Sequence, residues 1–179
     1  MSRFIAFVAL ILVAPSWRCA LSAEAEDKPV PLKVGFAERD ITPEIGMEQP
    51  GGYSKAFHRS LHDPCKVRAS VWDDGRQRVA VVGLDALLLR RETVEKVRRE
   101  IHSRCGIPEQ AILISASHSH SSGPTGMVMP GEFDHASPEV QKLAYEKTSA
   151  ADPKYLALVE KQLVEAVCAA DATRQAALV

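Results

Sequence analysis

The chain has 179 residues, a hydrophobic fraction of 46% and a formal net charge of −1. That length suits one domain able to bury a core. The near-neutral balance excludes the basic field by which proteins hold nucleic acid, and gives no reason to expect an anionic membrane surface as partner.

The first residues differ in kind from the rest. Arg3 precedes a continuous apolar stretch, Phe4 to Val13, too short for a bilayer span of about 20 residues. Small residues follow at Ala20, Ser22, Ala23 and Ala25. These are the proportions of a secretory signal peptide, so residues 1–25 are predicted to be one and the protein to be exported, secreted or periplasmic. The rival reading is an uncleaved N-terminal anchor. Cys19 falls in the removed segment, and Arg18 beside it argues against a lipoprotein signal. Cys65, Cys105 and Cys168 remain, an odd number that cannot all pair within one chain. Their spacing resembles no zinc knuckle. They read as buried or half-buried thiols, with one disulfide open to them in an oxidising compartment.

After a polar leader, a strand is expected at about Leu32–Ala37, then a turn at Asp40-Ile41-Thr42-Pro43. Residues 44–64 hold no sustained period and read as a long loop of the kind that often carries function. Val67, Ala69 and Val71 alternate with polar residues, as in a half-buried strand, and Asp74-Gly75 is a tight-turn signal. The run Val79–Leu84 is expected to be a strand buried on both faces. Val94, Val97 and Ile101 recur at helical spacing over residues 92–104, with Thr93 as candidate cap, Gly106 as stop and Pro108 beyond it. Ala111–Ala116 is the next apolar strand. Strand, helix and strand make a βαβ unit with parallel strands. A second long loop spans residues 123–138, and Pro153–Ala170 is a helix with Tyr155, Leu158, Val159, Leu163, Ala166 and Val167 on one face. The apolar ending Ala176–Val179 reads as the start of another strand. The predicted fold is α/β: a mixed sheet with a parallel βαβ unit and helices packed on it, forming an incomplete domain.

Asp85 and the pair His118 and His120 follow the carboxyl ends of the two parallel strands, where open α/β sheets bind ligands. His-X-His in an extended segment places both imidazoles on one side, and imidazole is a good zinc ligand. A hydrogen-bonded structural pair is the competing reading. A catalytic zinc normally takes three protein ligands and an open position, so two histidines need help from elsewhere. Asp85 is a candidate to orient an imidazole, or else to cap the loop or the following helix. His62 and Asp63, before Pro64, are further candidates near the substrate or the metal, against the reading of a plain turn. Asp40 is a candidate on the same footing. His58 and His135 read as exposed loop residues, and His102 as solvated on its helix. Met127, Val128, Met129 and Phe133 either line an apolar groove or pack under the fold.

Taken in order, "VGFAERDITP", "GGYS", "HDPCKVRASVWDDG", "VAVVGLDALLL" and "ISASHSHSSGPTG" resemble the N-terminal catalytic region of the neutral/alkaline ceramidase family, over residues 33 to 179. With residues 1–25 read as a signal peptide, the resemblance implies that residues 26–179 are the N-terminal part of a ceramidase-like catalytic domain, truncated at its C-terminus. It implies a zinc-dependent hydrolase that cleaves the amide of N-acylsphingosine to sphingosine and a fatty acid. His118 would be a zinc ligand, and His120 would either bind the ion or touch a group that does. The family's later histidine, glutamate, tyrosine and catalytic serine would fall beyond residue 179, leaving this chain alone inactive. The implied partner is a lipid-like small molecule, ceramide by resemblance, with room for peripheral membrane contact and no protein partner. Ser121-Ser122-Gly123 carries one serine more than the commonest family pattern. The alternatives are a related secreted metallohydrolase acting on another amide or ester, and a secreted non-catalytic domain that keeps the fold.

Overall fold

A computed structural model describes residues 31–178; the predicted signal peptide, Cys19 and Val179 lie outside the described residues. Strand β1 (Lys33–Asp40) leads into two short strands, β2 (Glu48–Gln49) and β3 (Ala56–Phe57), which pair as a small separate hairpin inside the expected long loop. Strands β4 (Lys66–Asp73) and β5 (Arg78–Leu84) form an antiparallel hairpin. Its turn is closed by Asp74, whose Oδ1 accepts from Arg76 N at 2.9 Å and Gln77 N at 2.7 Å, the local bonding that makes Asp a turn residue. Helix α1 (Arg91–Cys105) then crosses to β6 (Ile112–Ala116), parallel to β5 as the βαβ pattern predicts. Helix α2 (Pro138–Lys142), continued by a π-helical turn over Leu143–Lys147, lies beyond the second loop. Helix α3 (Pro153–Ala172) is followed by β7 (Gln175–Ala176), which pairs with β1 and overlaps the strand expected from Ala176 only at that residue.

The five-stranded sheet runs β6-β5-β4-β1-β7. Alternation along each strand sends Val67, Val71, Val82, Leu84 and Ile112 to one face, where they meet Val97 and Ile101 of α1 and Val159, Leu163 and Val167 of α3. Both helices cover that face. The expectation that β5 is buried on both sides is therefore corrected: Ala80, Val82 and Leu84 are buried, while Val79 and Val81 are exposed beside Phe36, Trp72 and Leu113. An unbroken apolar run cannot by itself distinguish a two-sided strand from a strand with one apolar face still open.

Two helix details also differ. Arg90, not Thr93, is the cap residue of α1, and Thr93 is buried within the first turn. On α3, Leu158 points partly outward, while Leu156 and Val164 are buried instead. Gly106 ends α1 in the left-handed region as expected, its N–H bonded to the His102 carbonyl at 2.8 Å. Cys105 and Cys168 form a disulfide joining α1 to α3, with Cα atoms 6.0 Å apart. Cys65 is a free buried thiol, pushed above its ordinary pKa chiefly by that burial.

Candidate metal-binding histidines and the adjoining cleft

Past the last β5–β6 ladder pair the two chains stay in step. Ser117 N donates to the Leu84 carbonyl at 3.0 Å and Ser119 N to the Ala86 carbonyl at 3.1 Å. Between them His118 has φ 61°, the one left-handed non-glycine among the described residues, a conformation that costs of order 1–3 kcal/mol where the surroundings impose it. The strand has ended at Ala116, so simple alternation does not place the two imidazoles. The left-handed step at His118 does, bringing the rings of His118 and His120 to 5.0 Å between centroids at 76°.

His118 Nδ1 lies 3.0 Å from the Leu87 carbonyl oxygen. A carbonyl only accepts, so Nδ1 carries the proton and the Nε2 lone pair is left for a cation. This is how a ligating imidazole is usually oriented, with a backbone carbonyl as the acceptor. Both histidines are exposed. His120 is seated by Gly51: a Cβ there would meet the imidazole at Nδ1, and φ at Gly51 is 90°. The His120 carbonyl accepts from Gln49 Nε2 at 2.9 Å.

The other sequence candidates fall elsewhere. Asp85 is held by β4: its Oδ2 accepts from Lys66 N at 2.9 Å and Arg68 Nη1 at 3.1 Å. It bonds neither imidazole and caps no helix, so its predicted orienting role passes to the Leu87 carbonyl. Asp40 accepts from Thr42 N at 2.8 Å, the largest cause of its lowered pKa, and Lys66 lies 3.2 Å from its other oxygen. It closes the turn before Pro43. His62 Nδ1 and Asp63 are 2.8 Å apart with side chains 97% and 86% exposed, a solvated pair on a turn. An open cleft of about 790 Å³ gathers His62, Asp63, Cys65, Asp85, Ser119 and Ser121. The structure thus makes two groups: the histidine rings, and a polar cleft reached by the serines on either side of His120.

Several residues that position this region are not evident in the sequence. Arg90 donates to the carbonyls of Gly126 at 2.9 Å and Met127 at 3.0 Å, and grips Glu132 through two bonds of 2.8 Å. That pairing holds the Glu132 carboxyl below its ordinary pKa. Thr125 Oγ1 donates to the Leu88 carbonyl at 2.6 Å. Half-buried His58 bonds the Ser122 carbonyl through Nε2 at 3.0 Å, where an exposed side chain was expected. His102, on an exposed helix position, bonds the Ile107 carbonyl at 3.0 Å. Val128 is buried and Met127 Sδ accepts from Gly51 N at 3.2 Å, so this loop packs rather than lining the cleft. Apart from His102 and Ile107, these partners lie 36 to 76 residues apart in sequence, beyond any local pattern.

Among the described residues, no group of three or more His, Cys, Asp and Glu side chains is arranged to hold a metal ion. The donor chemistry of the histidine pair suits zinc, but it supplies two nitrogens where a catalytic site takes three protein ligands.

No family model matches the chain, and no curated protein matches it. Solved structures do. A ceramidase complexed with C2 superposes with a TM-score of 0.60 at 20% identity, and the neutral ceramidase from Pseudomonas aeruginosa with 0.64 at 20% identity. Each match covers 82% of this chain and 22% of the solved one, so the chain spans about a fifth of the length of the proteins it matches. Identity at that level shows a shared fold, and it is the fold of the family that the five sequence stretches resemble.

Proposed function

We propose that the chain supplies the histidine part of a zinc-dependent amide hydrolase of the neutral ceramidase type, acting on the amide of an N-acylated sphingoid base. The observation that carries this is His118: an exposed imidazole at the carboxyl end of a parallel strand, its tautomer set by the Leu87 carbonyl so that Nε2 is free. The shared fold and the His118–His120 spacing support it.

In this reading His118 Nε2, with His120 beside it, holds the zinc together with donors outside the described residues. Bound zinc would lower the pKa of a coordinated water towards about 7 and polarise the amide carbonyl. His118 is kept in its ligating tautomer by Leu87. His120 is kept in place by the absence of a side chain at Gly51 and by the bond from Gln49 to its carbonyl. Ser119 and Ser121 open on the cleft beside the rings and offer hydroxyls to a polar head group. Export into an oxidising compartment belongs to the same reading, supported by the Cys105–Cys168 disulfide.

The test is calorimetric titration of Zn²⁺ into a longer protein that contains this chain and the remaining donors, and into its His118→Ala and His102→Ala variants. His118→Ala is expected to lose binding and His102→Ala to keep it. Equal binding by wild type and His118→Ala would refute the site. Fatty-acid release from a short-chain ceramide by a longer protein containing this chain separates ceramide hydrolysis from hydrolysis of another amide or ester.

A further inference from the structure

We infer that Arg90, through its grip on Glu132, is a positioning residue for His118. The inference rests on the reading that His118 binds a cation.

The parallel pairing of β5 and β6 does not stop at the strand ends. Residues 84 to 90 act as a rail to which residues 117 to 132 are attached. Ser117 N bonds Leu84 O, Ser119 N bonds Ala86 O, the His118 ring bonds Leu87 O, and Thr125 Oγ1 bonds Leu88 O. Arg90 closes the series with bonds to Gly126 O, Met127 O and both Glu132 oxygens. Glu132 Oε2 also accepts from Met129 N at 2.9 Å, so the carboxylate ties the far end of the loop to itself and to Arg90.

The attached segment needs such a closure. It holds Gly123, Gly126 and Gly131, residues that lose the most conformational freedom on ordering. Its second residue, His118, is held in the left-handed region. Its anchors before Arg90 are single hydrogen bonds, each worth about 0.5–1.5 kcal/mol net. Arg90 adds two backbone bonds and a bidentate carboxylate pair, about twice as strong per bond as neutral ones. Only a guanidinium reaches all three acceptors, because its donors form a rigid planar fork that an ammonium lacks. Without it, loop 126–132 comes off the rail, and the single Thr125–Leu88 bond is all that stands between the loosened end and the Leu87 bond that sets the His118 tautomer.

The experiment uses the ¹⁵N-labelled 179-residue chain, with ring signals assigned by His118→Ala. Long-range ¹H–¹⁵N correlation reports the His118 tautomer in this chain, and calorimetry on a longer protein containing it reports Zn²⁺ binding, in wild type, Arg90→Met, Arg90→Lys and Glu132→Gln. Wild type is expected to show the Nδ1–H form alone. Arg90→Met and Arg90→Lys are expected to show both tautomers and to bind Zn²⁺ about tenfold more weakly, the usual scale for losing an outer partner of a ligand. Glu132→Gln is expected to move both readouts in the same direction by less, and it decides the matter if the Arg90 variants do not fold. A His118 ring spectrum identical to wild type in every folded variant overturns the inference, even if the melting temperature falls. A wild type that binds no Zn²⁺ counts against the cation reading above, while the ring spectrum still decides whether Arg90 positions His118.

Discussion

Tyr155 shows how the region around the histidines is held together. It is 2% exposed at the start of α3, and its hydroxyl donates to the Ile41 carbonyl at 2.6 Å. Its ring fills the space that a side chain at Gly123 would need, three residues past His120. One side chain therefore joins the turn after β1, the histidine loop and α3. Tyr155→Phe keeps the ring and removes the donor, leaving the Ile41 carbonyl without it. Stranding one buried partner costs about 1–3 kcal/mol, equivalent to roughly 2–10 °C in a chain of this size. Burial, the largest cause, pushes the Tyr155 pKa well above its ordinary value near 10. The folded state thus keeps its proton longer than the unfolded state does. The contribution is fully present below about pH 10 and declines as pH rises from there towards the folded pKa. Urea unfolding of wild type and Tyr155→Phe, followed by circular dichroism at pH 7, 9 and 11, tests both statements. The gap between the two proteins is expected to be 1–3 kcal/mol at pH 7 and 9 and to narrow at pH 11. A gap below about 0.5 kcal/mol at pH 7, the range of an inconsequential substitution, would refute the reasoning, as would a gap that widens in alkali.

The Cys105–Cys168 disulfide closes a separation of 63 residues, so its replacement by two serines is expected to cost about 4 kcal/mol in chemical denaturation; an equal midpoint for oxidised and reduced chains would contradict this. Asp85→Asn is expected to leave Zn²⁺ binding within about twofold, since Asp85 serves β4 and not the imidazoles, and a loss like that of His118→Ala in calorimetry would show otherwise. Glu132 has a depressed pKa because Arg90 donates to it, so the stability difference between wild type and Glu132→Gln should be present at pH 7 and vanish as pH falls through the carboxylate range. A difference that persists at pH 2 would oppose that assignment. Gly51→Ala is expected to lower the melting temperature and to shift the His120 ring signals, because the new Cβ meets that imidazole in a backbone conformation L-residues avoid; unchanged His120 signals would refute the proposed seat.

The frame of this fold was legible because its signals are local. The period-two pattern over Val67–Val71, the Asp74-Gly75 turn, the helical spacing of Val94, Val97 and Ile101 and the stop at Gly106 each depend on a few neighbouring residues, and together they gave the parallel β5–β6 pair and the position of the histidines. What failed to show depends on distant partners. The open face of β5 could not be read because burial on a second side is set by what else packs there. Asp85 looked like a partner for the histidines because both follow strand ends. Its actual partners, Lys66 and Arg68, sit on the antiparallel neighbour, which the βαβ reading did not include. Arg90 drew no reading from the sequence, because its acceptors are 36 to 42 residues away.

The geometry at the strand ends also explains why an imidazole is placed there. When a parallel pair ends, the carbonyls of the leading strand's continuation lose their ladder partners, and a backbone acceptor left unpaired away from water costs free energy. Here Leu84 and Ala86 are answered by amides, and Leu87 and Leu88 by the His118 ring and the Thr125 hydroxyl. A serine or threonine could satisfy Leu87 equally well. Only histidine satisfies it with one atom and keeps a second, basic nitrogen facing away from the bond. An asparagine at position 118 could still donate to Leu87, so His118→Asn is expected to preserve most of the stability of the loop while abolishing Zn²⁺ binding. If His118→Asn instead retained the cation, His118 would not be among its ligands, and the Leu87 bond would be a structural contact with no bearing on chemistry.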